Sequence, residues 1–369
     1  MNRLSDSRYD VLVVGGGAMG SAAAWQLARR GRSVLLIERF EAGHPYGSSH
    51  GGVRIFRYGY DDPTYVRMVQ HALPLWRDLE ADAGETLLEL TGAVDHGPER
   101  DIAALAAAYR ACGVNHEHMS PGQATERWPG LRFDSAVLAQ ADAGRTQAAA
   151  TVAALHRMAA AHGAELRWAT KADTIEAKED RVTVRTDDAE FSAPVTVVAV
   201  GAWSQPLLAP LGIPLPPMRV TEEQVFHFPP VEERPGGNPW PSFMHRGPRI
   251  RYGLQTPGEG IKLGEHHSGP VCDPEPGRRS FAIDPTARDR IRRYAADWLP
   301  GVIPEPVTET TCLYTTTPSE DFVIDRFGPI VVAAGFSGHG FKFTPLIGAR
   351  LADLALGVGQ GQRSTRSSS

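Results

Sequence analysis

The chain has 369 residues, a formal net charge of −5 at pH 7, 42% apolar residues and 22% charged residues. That balance is ordinary for a folded protein long enough for two domains, and it gives no hint of binding to nucleic acid or anionic membranes. The 3 cysteines, Cys112, Cys272 and Cys312, form no C-x-x-C pair and no disulfide framework. With no leader-like N-terminus and no apolar run near the ~18 residues of a membrane span, the expected setting is cytoplasmic.

In chain order, Tyr9–Val14 reads as a buried strand and is followed by Gly15-Gly16-Gly17-Ala18-Met19-Gly20, a G-x-G-x-x-G turn. A helix from about Ala18 to Arg30 and a second strand, Val34–Ile37, come next, with Glu38 closing the unit. Glycines at 15, 17 and 20 permit a tight turn, backbone approach to a pyrophosphate and close helix–strand packing. The helix start at Ala18 and Met19 aims free N–H groups at the phosphates, and Glu38 is placed to accept from ribose hydroxyls. The pattern predicts an adenine dinucleotide and leaves FAD and NAD open.

Residues 43–52 form a Gly/Ser/His-rich loop. A helix over about Thr64–Asp82 carries Tyr65, Met68, Val69, Ala72, Leu73, Trp76 and Leu79 on one face, with Pro74 inside as an expected kink. Residues 83–141 lose the βαβ rhythm and predict helices near Asp101–Cys112 and Pro121–Trp128. A helix over about Gln147–His162 precedes strands at Glu165–Ala169, Arg181–Arg185 and Val195–Val200. Residues 228–248, rich in Pro, Gly and charge, read as loops. The buried strand Ile330–Ala334 leads into the turn Gly335–Lys342 and a helix over Leu346–Leu356. The tail from Gly359 is expected to be frayed.

The predicted fold class is α/β plus α+β: a Rossmann-like dinucleotide-binding domain with an inserted antiparallel-sheet domain. The boundaries expected are 1–82, 142–215 and 318–369 for the first domain, and 83–141 and 216–317 for the second. Ligands bind such sheets outside the carboxyl ends of the strands, so the loops after Val14, Val200 and Ala334 should meet at the site.

Cationic residues recur in and near these loops: Arg54, Arg57, Lys262, His266 and Lys342. A carboxylate ligand suits a bidentate Arg with a point-charge Lys. Positive charge also suits the edge of a flavin where an anion develops on reduction. No metal site is expected, because His266, His267 and Cys272 lack the spaced pairs of a zinc site. Gly335-Phe336-Ser337-Gly338-His339 approaches a nucleophile elbow but carries His in place of its last Gly, which argues against a serine hydrolase.

These segments together resemble the monomeric sarcosine oxidase and N-methyl-tryptophan oxidase family of flavin amine oxidases, nearly end to end. The resemblance is carried by Asp10–Gly20, by Gly47–Arg57, by Tyr252-Gly253 and by Lys262-Leu263-Gly264. Cys312-Leu313-Tyr314 with Thr317-Pro318, and the run from Gly335 to Phe343, complete it. It implies FAD, attached covalently through Cys312, and cofactor contacts from Gly15, Gly17, Ala18, Met19, Gly20, Glu38, Arg39, Ser48, His50, Arg54, Gly338, Gly340, Phe341 and Lys342. Lys262 would activate oxygen. Arg57 and Lys342 would hold the substrate carboxylate, His266, Tyr252 and Tyr314 would line the amine pocket, and Arg54 would tune the flavin.

The implied reaction consumes a secondary amino acid such as sarcosine, O2 and water. It yields the demethylated amino acid, an aldehyde and hydrogen peroxide. The implied partners are these small molecules, with no nucleic acid and no membrane, and the implied state is a monomer. A flavin-dependent dehydrogenase or oxidase of another secondary metabolite, and a non-catalytic flavoprotein, are the alternatives.

Overall fold

Val11–Val14 and Val34–Ile37 are four-residue strands with every residue buried, and they pair in parallel with Val11 opposite Val34. Such runs of β-branched and apolar residues suit a sheet covered on both faces. The computed structural model describes residues 9–358, so the tail predicted to fray lies outside the described residues. The sheet built on these strands has six members in the order Val323–Phe327, Ile330–Ala334, Val195–Val198, Val11–Val14, Val34–Ile37, Glu165–Arg167. All neighbours are parallel except Val323–Phe327, which runs antiparallel to Ile330–Ala334.

The helix Ala18–Ala28 covers one face and packs against Thr344–Ala355. A Cβ on Gly348 would come within 2.6 Å of Ala22, so small residues let the two helices approach closely. The helix Pro63–Ala83 runs unbroken through Pro74. It begins at a Pro behind Asp62, whose side chain accepts from Thr64 N, and it ends at Gly84 in the left-handed region, φ +69°. Its buried face, Val66, Met68, Val69, Ala72, Trp76 and Leu79, matches the predicted stripe closely.

The second large sheet has eight strands in the order Thr308–Thr316, Arg219–Phe228, Gly260–Glu265, Arg251–Thr256, Ser242–His245, Ala93–His96, Val137–Gln140, Glu117–Met119. Its neighbours are antiparallel except for one pair. Ser242–His245 lies parallel to Ala93–His96, with Met244 opposite Asp95. The expectation of loops over 228–248 therefore needs correction. Ser242–His245 is a strand at the centre of this sheet, and Trp240 and Phe243 are buried in the core formed with Phe226, Phe228 and Ile261. Pro and Gly density concealed it because the strand is four residues long and pairs with a segment about 150 positions away.

Two three-stranded sheets complete the fold. One is Thr174–Lys178, Arg181–Arg185 and Glu190–Ala193. In the other, Gly144–Gln147 lies between Val53–Phe56 and Leu88–Glu89.

Candidate active site

The loops leaving the carboxyl ends of Val11–Val14, Val195–Val198 and Ile330–Ala334 converge on a cavity of about 590 Å³. At its floor, Gly15 sits at φ +108°, and a Cβ there would lie 2.5 Å from Ala199 O. A Cβ on Gly20 would lie 1.9 Å from Gly15 O. Only glycine meets both demands. Glu38 is buried, and its carboxylate accepts from Gly16 N at 2.7 Å and Phe40 N at 3.0 Å. Ser49 Oγ accepts from Ala18 N at 3.0 Å, so a side chain from the 43–52 loop caps the first turn of the helix. That role was not foreseen: the capping residue is 31 positions from the helix start, outside any local capping pattern.

Of the predicted cofactor contacts, Gly15, Gly17, Ala18, Met19, Glu38, Arg39, Ser48, His50, Arg54, Cys312, Gly338, Gly340 and Phe341 lie on the cavity wall. Tyr314, predicted for the amine pocket, lies there too. Gly20 and Lys342 do not, and neither do Arg57, Tyr252, Lys262 or His266. Glu275 and Trp203 line the cavity at the end holding Arg39. The Arg39 guanidinium meets Glu275 with two hydrogen bonds of 2.9 and 2.7 Å, and Trp203 Nε1 donates to the same carboxylate at 2.9 Å. This clasp joins residues more than 230 positions apart, which no motif in the sequence links.

At the other end, Cys312 and Tyr314 face the cavity from the strand Thr308–Thr316. Burial raises the Cys312 thiol pKa, while Arg54 and Lys262 oppose that rise electrostatically. Arg54 donates to the carbonyls of Val53, Ser48 and His50 at 2.9, 3.1 and 2.7 Å, which holds its charge against the loop. Lys262 is buried, and its Nζ donates to Val53 O at 3.2 Å. Burial, and then Arg54, bring its pKa down to about 7. Burial and nearby cations, Arg54 first, push His50 down to about 3.

The turn after Ala334 is tight. Gly335, Ser337 and Gly338 have φ of +65°, +48° and +78°. A Cβ on Gly338 would lie 2.2 Å from the Tyr314 ring. The Ser337 hydroxyl is fully buried and donates to Gly335 O at 3.1 Å, so it is a structural group of the turn rather than a nucleophile.

Lys342 follows this turn. Its Nζ donates to Tyr60 Oη at 2.8 Å and to His339 O at 2.7 Å. The Arg57 guanidinium lies 5.8 Å from the Tyr60 ring centroid, with Lys342 Nζ 5.2 Å from the same ring. The sequence thus foresaw Arg57 and Lys342 as neighbours but missed Tyr60, which both approach. It also missed Asp95 and Arg246: Asp95 Oδ1 accepts from both Arg57 and Arg246 at 3.2 Å. His266 Nδ1 lies 3.4 Å from Tyr314 Oη, and Tyr314 shares a further hydrogen bond with Tyr252. Burial first, and then His267, Arg57, His339 and Lys342, hold His266 well below the usual histidine range. Ligand atoms of His266, His267 and Glu320 also lie within 4.8 Å of one another.

The donor set fits FAD. One long cavity offers glycine backbone and a helix start at the phosphate position, a buried acid at the ribose position, and a thiol with flanking cations at the far end. Fold and site together define a dinucleotide-binding oxidoreductase. The chain belongs to the FAD dependent oxidoreductase family, whose model matches residues 10–354.

Within that family it falls with the sarcosine oxidases and N-methyl-tryptophan oxidases, the flavin-dependent amine oxidases. It is 34% identical to a monomeric sarcosine oxidase of Bacillus sp. (strain NS-129) over 95% of this chain and 93% of that one. It is 29% identical to an N-methyl-L-tryptophan oxidase of Yersinia pestis over 92% of this chain and 93% of the other. Among solved structures, it resembles the open form of NikD, an unusual amino acid oxidase essential for nikkomycin biosynthesis. That likeness has a TM-score of 0.84 and 30% identity over 95% and 94% of the two chains. Among the described residues, no helix is long and apolar enough to cross a membrane.

Proposed function

We propose that this chain is an FAD-dependent oxidase of N-methyl (secondary) amino acids such as sarcosine, releasing the demethylated amino acid, an aldehyde and hydrogen peroxide. The observation that carries the reading is one juxtaposition. The Cys312–Tyr314 end of the dinucleotide cavity adjoins, through His266 and its cationic neighbours, the cluster holding Arg57 and Lys342. A carboxylate there gains the fork of Arg57 and the compact charge of Lys342. Lys342 is itself pushed well below the usual lysine range, by burial and then by Arg57, and an incoming anion would favour its charged form.

Cationic surroundings favour the neutral form of the substrate amine, which is the form that can be oxidised. Tyr252, Tyr314 and a neutral His266 form a polar wall around that nitrogen. When bound, FAD supplies the two-electron chemistry that converts the N–CH3 group to an imine and passes the electrons to O2. Cys312 is proposed as its covalent attachment point, supported by its place on the cavity wall within electrostatic reach of Arg54 and Lys262. Lys262, protonated, would stabilise negative charge developing on O2. Gly15, Gly17, Ala18, Met19 and Glu38 would hold the ADP half, with Arg39 beside it. Ser48, His50, Arg54, Gly338, Gly340 and Phe341 would frame the flavin half, while Gly20 and Lys342 would act from behind the wall.

We also infer the domain division 1–82, 142–215 and 318–369 against 83–141 and 216–317. All six strands of the mainly parallel sheet come from the first set and all eight of the other large sheet from the second, which supports it. A cytoplasmic monomer acting on small molecules and O2 completes the reading. Its test is anaerobic mixing with a panel of N-methyl amino acids while the visible flavin band is followed. Bleaching by N-methyl amino acids and not by the matching simple N-methyl amines supports it; bleaching by neither overturns it.

A further inference from the structure

Asp95, the third residue of the strand Ala93–His96, is fully buried and lies beside two arginines. Its Oδ1 accepts from Arg57 Nη1 and from Arg246 Nε, each at 3.2 Å. Gly59 O accepts from the same two side chains, at 2.6 Å from Arg57 Nη1 and 3.1 Å from Arg246 Nη2. One carboxylate oxygen and one carbonyl oxygen therefore hold two guanidiniums together. The backbone fixes the second one: Arg246 N donates to His96 O at 2.8 Å, and a Cβ on Gly97 would lie 2.5 Å from Arg246 O.

The charges do not balance. Two arginines share one carboxylate, and Lys342 Nζ lies 5.2 Å from the centroid of the Tyr60 ring that Arg57 also approaches. A single substrate carboxylate held by Arg57 and Lys342 leaves Arg246 without an anion of its own. Yet the Arg57 and Arg246 side chains are only 13% and 18% exposed, where a surplus cation is costly. The described hydrogen bonds leave Arg57 Nε and Nη2, and Arg246 Nη1, free for an incoming acceptor.

We infer that the preferred substrate is a secondary amino acid bearing a second carboxylate, and that Arg246 binds this second anion beside the α-carboxylate held by Arg57. This rests on the reading of the site as a flavin-dependent oxidase of secondary amino acids. The reaction is unchanged; the second carboxylate takes no part in bond making and serves only recognition. Asp95 is then a positioning residue that holds the two guanidiniums side by side.

The test uses the FAD-loaded protein and two thioethers that lack an amine. Methylthioacetate has one carboxylate and (methylthio)succinate has two, and flavin absorbance reports both dissociation constants. Wild type is expected to bind (methylthio)succinate at least about tenfold tighter than methylthioacetate, the gain of one charge-assisted contact. Arg246→Gln should bring that ratio close to one, and Arg246→Lys should keep part of it. The ratio of kcat/KM for N-methyl-L-aspartate over sarcosine should follow the same order. A wild-type ratio of one, or an equal loss for both ligands in Arg246→Gln, overturns the assignment. If sarcosine bleaches the flavin anaerobically and N-methyl-L-aspartate has no advantage, the second-anion site falls and the oxidase reading stands. If neither bleaches it, both fall together.

Discussion

Replacing Lys262 with Met tests the electrostatics of the site through stability as well as chemistry. Lys262 is 7% exposed, and among the described residues no carboxylate lies within ion-pair distance of its Nζ. Burial and Arg54 lower its pKa from 10.5 to about 7. At about 1.36 kcal/mol per pH unit, that drop corresponds to about 5 kcal/mol against the folded state at and below neutral pH.

The sign follows from proton counts. Between about pH 7 and the ordinary lysine value of 10.5, the unfolded chain holds a proton at this site that the folded chain does not. Wild-type stability therefore rises across that window, and the penalty is full below it. Methionine keeps the length and removes the charge. Val53 O keeps its hydrogen bond from Arg54 Nη1 at 2.9 Å, so the exchange strands no acceptor and forfeits about 1 kcal/mol for one lost bond. Lys262→Met should then be more stable than wild type by about 3–4 kcal/mol near neutral pH. That gap should close as the pH approaches the lysine value in water.

Urea unfolding followed by circular dichroism, at neutral and alkaline pH and with matched FAD content, reads this directly. A variant less stable than wild type at neutral pH, or a gap that does not change with pH, refutes the reasoning. The same variant should retain anaerobic bleaching by substrate but lose speed in the reaction with O2. In wild type that oxygen step should slow as pH rises through about 7, where Lys262 loses its proton. Stopped-flow traces of the two half-reactions separate the effects.

Three further outcomes are expected. Cys312→Ala should release its yellow colour into the supernatant on acid precipitation, whereas wild type should keep the colour in the pellet. Arg57→Ala and Lys342→Ala should each weaken methylthioacetate by about 10- to 100-fold in an absorbance titration, the worth of one charge-assisted bond of about 1.5–3 kcal/mol; equal constants in all three proteins would remove the carboxylate clamp. Gly20→Ala should lose FAD, since a Cβ 1.9 Å from Gly15 O forces the dinucleotide turn open, and the absorbance ratio of flavin to protein in the purified variant checks it.

The dinucleotide unit was legible because its signals are local. Val11–Val14, the glycines at 15, 17 and 20, and Glu38 all fall within one βαβ stretch, and at positions 15 and 20 the close approach of backbone leaves room for glycine alone. The amphipathic helix Pro63–Ala83 was legible for the same reason. What escaped depends on long-range pairing. Ser242–His245 is too short to announce itself amid Pro and Gly, and it becomes a strand only beside Ala93–His96.

That pairing brings Asp95 and Arg246 to Arg57, and neither carries a motif. Tyr60 and Ser49 were passed over because their partners, Lys342 and Ala18, lie on other loops. The resemblance pointed to Arg57, Lys262, His266, Cys312 and Lys342 individually. Their hydrogen-bond partners, and the surplus of positive charge around Asp95, emerge only from the folded arrangement.

On the function proposed above, this cavity couples oxidation of a secondary amino acid to reduction of O2. The most direct measurement adds N-methyl amino acids, sarcosine and N-methyl-L-aspartate among them, to the FAD-loaded protein in air and quantifies hydrogen peroxide, aldehyde and demethylated amino acid together. The three products should appear in equal amounts with at least one of these substrates, and peroxide should disappear when O2 is excluded. Aldehyde formed without peroxide, with turnover only when an artificial electron acceptor is supplied, would contradict it.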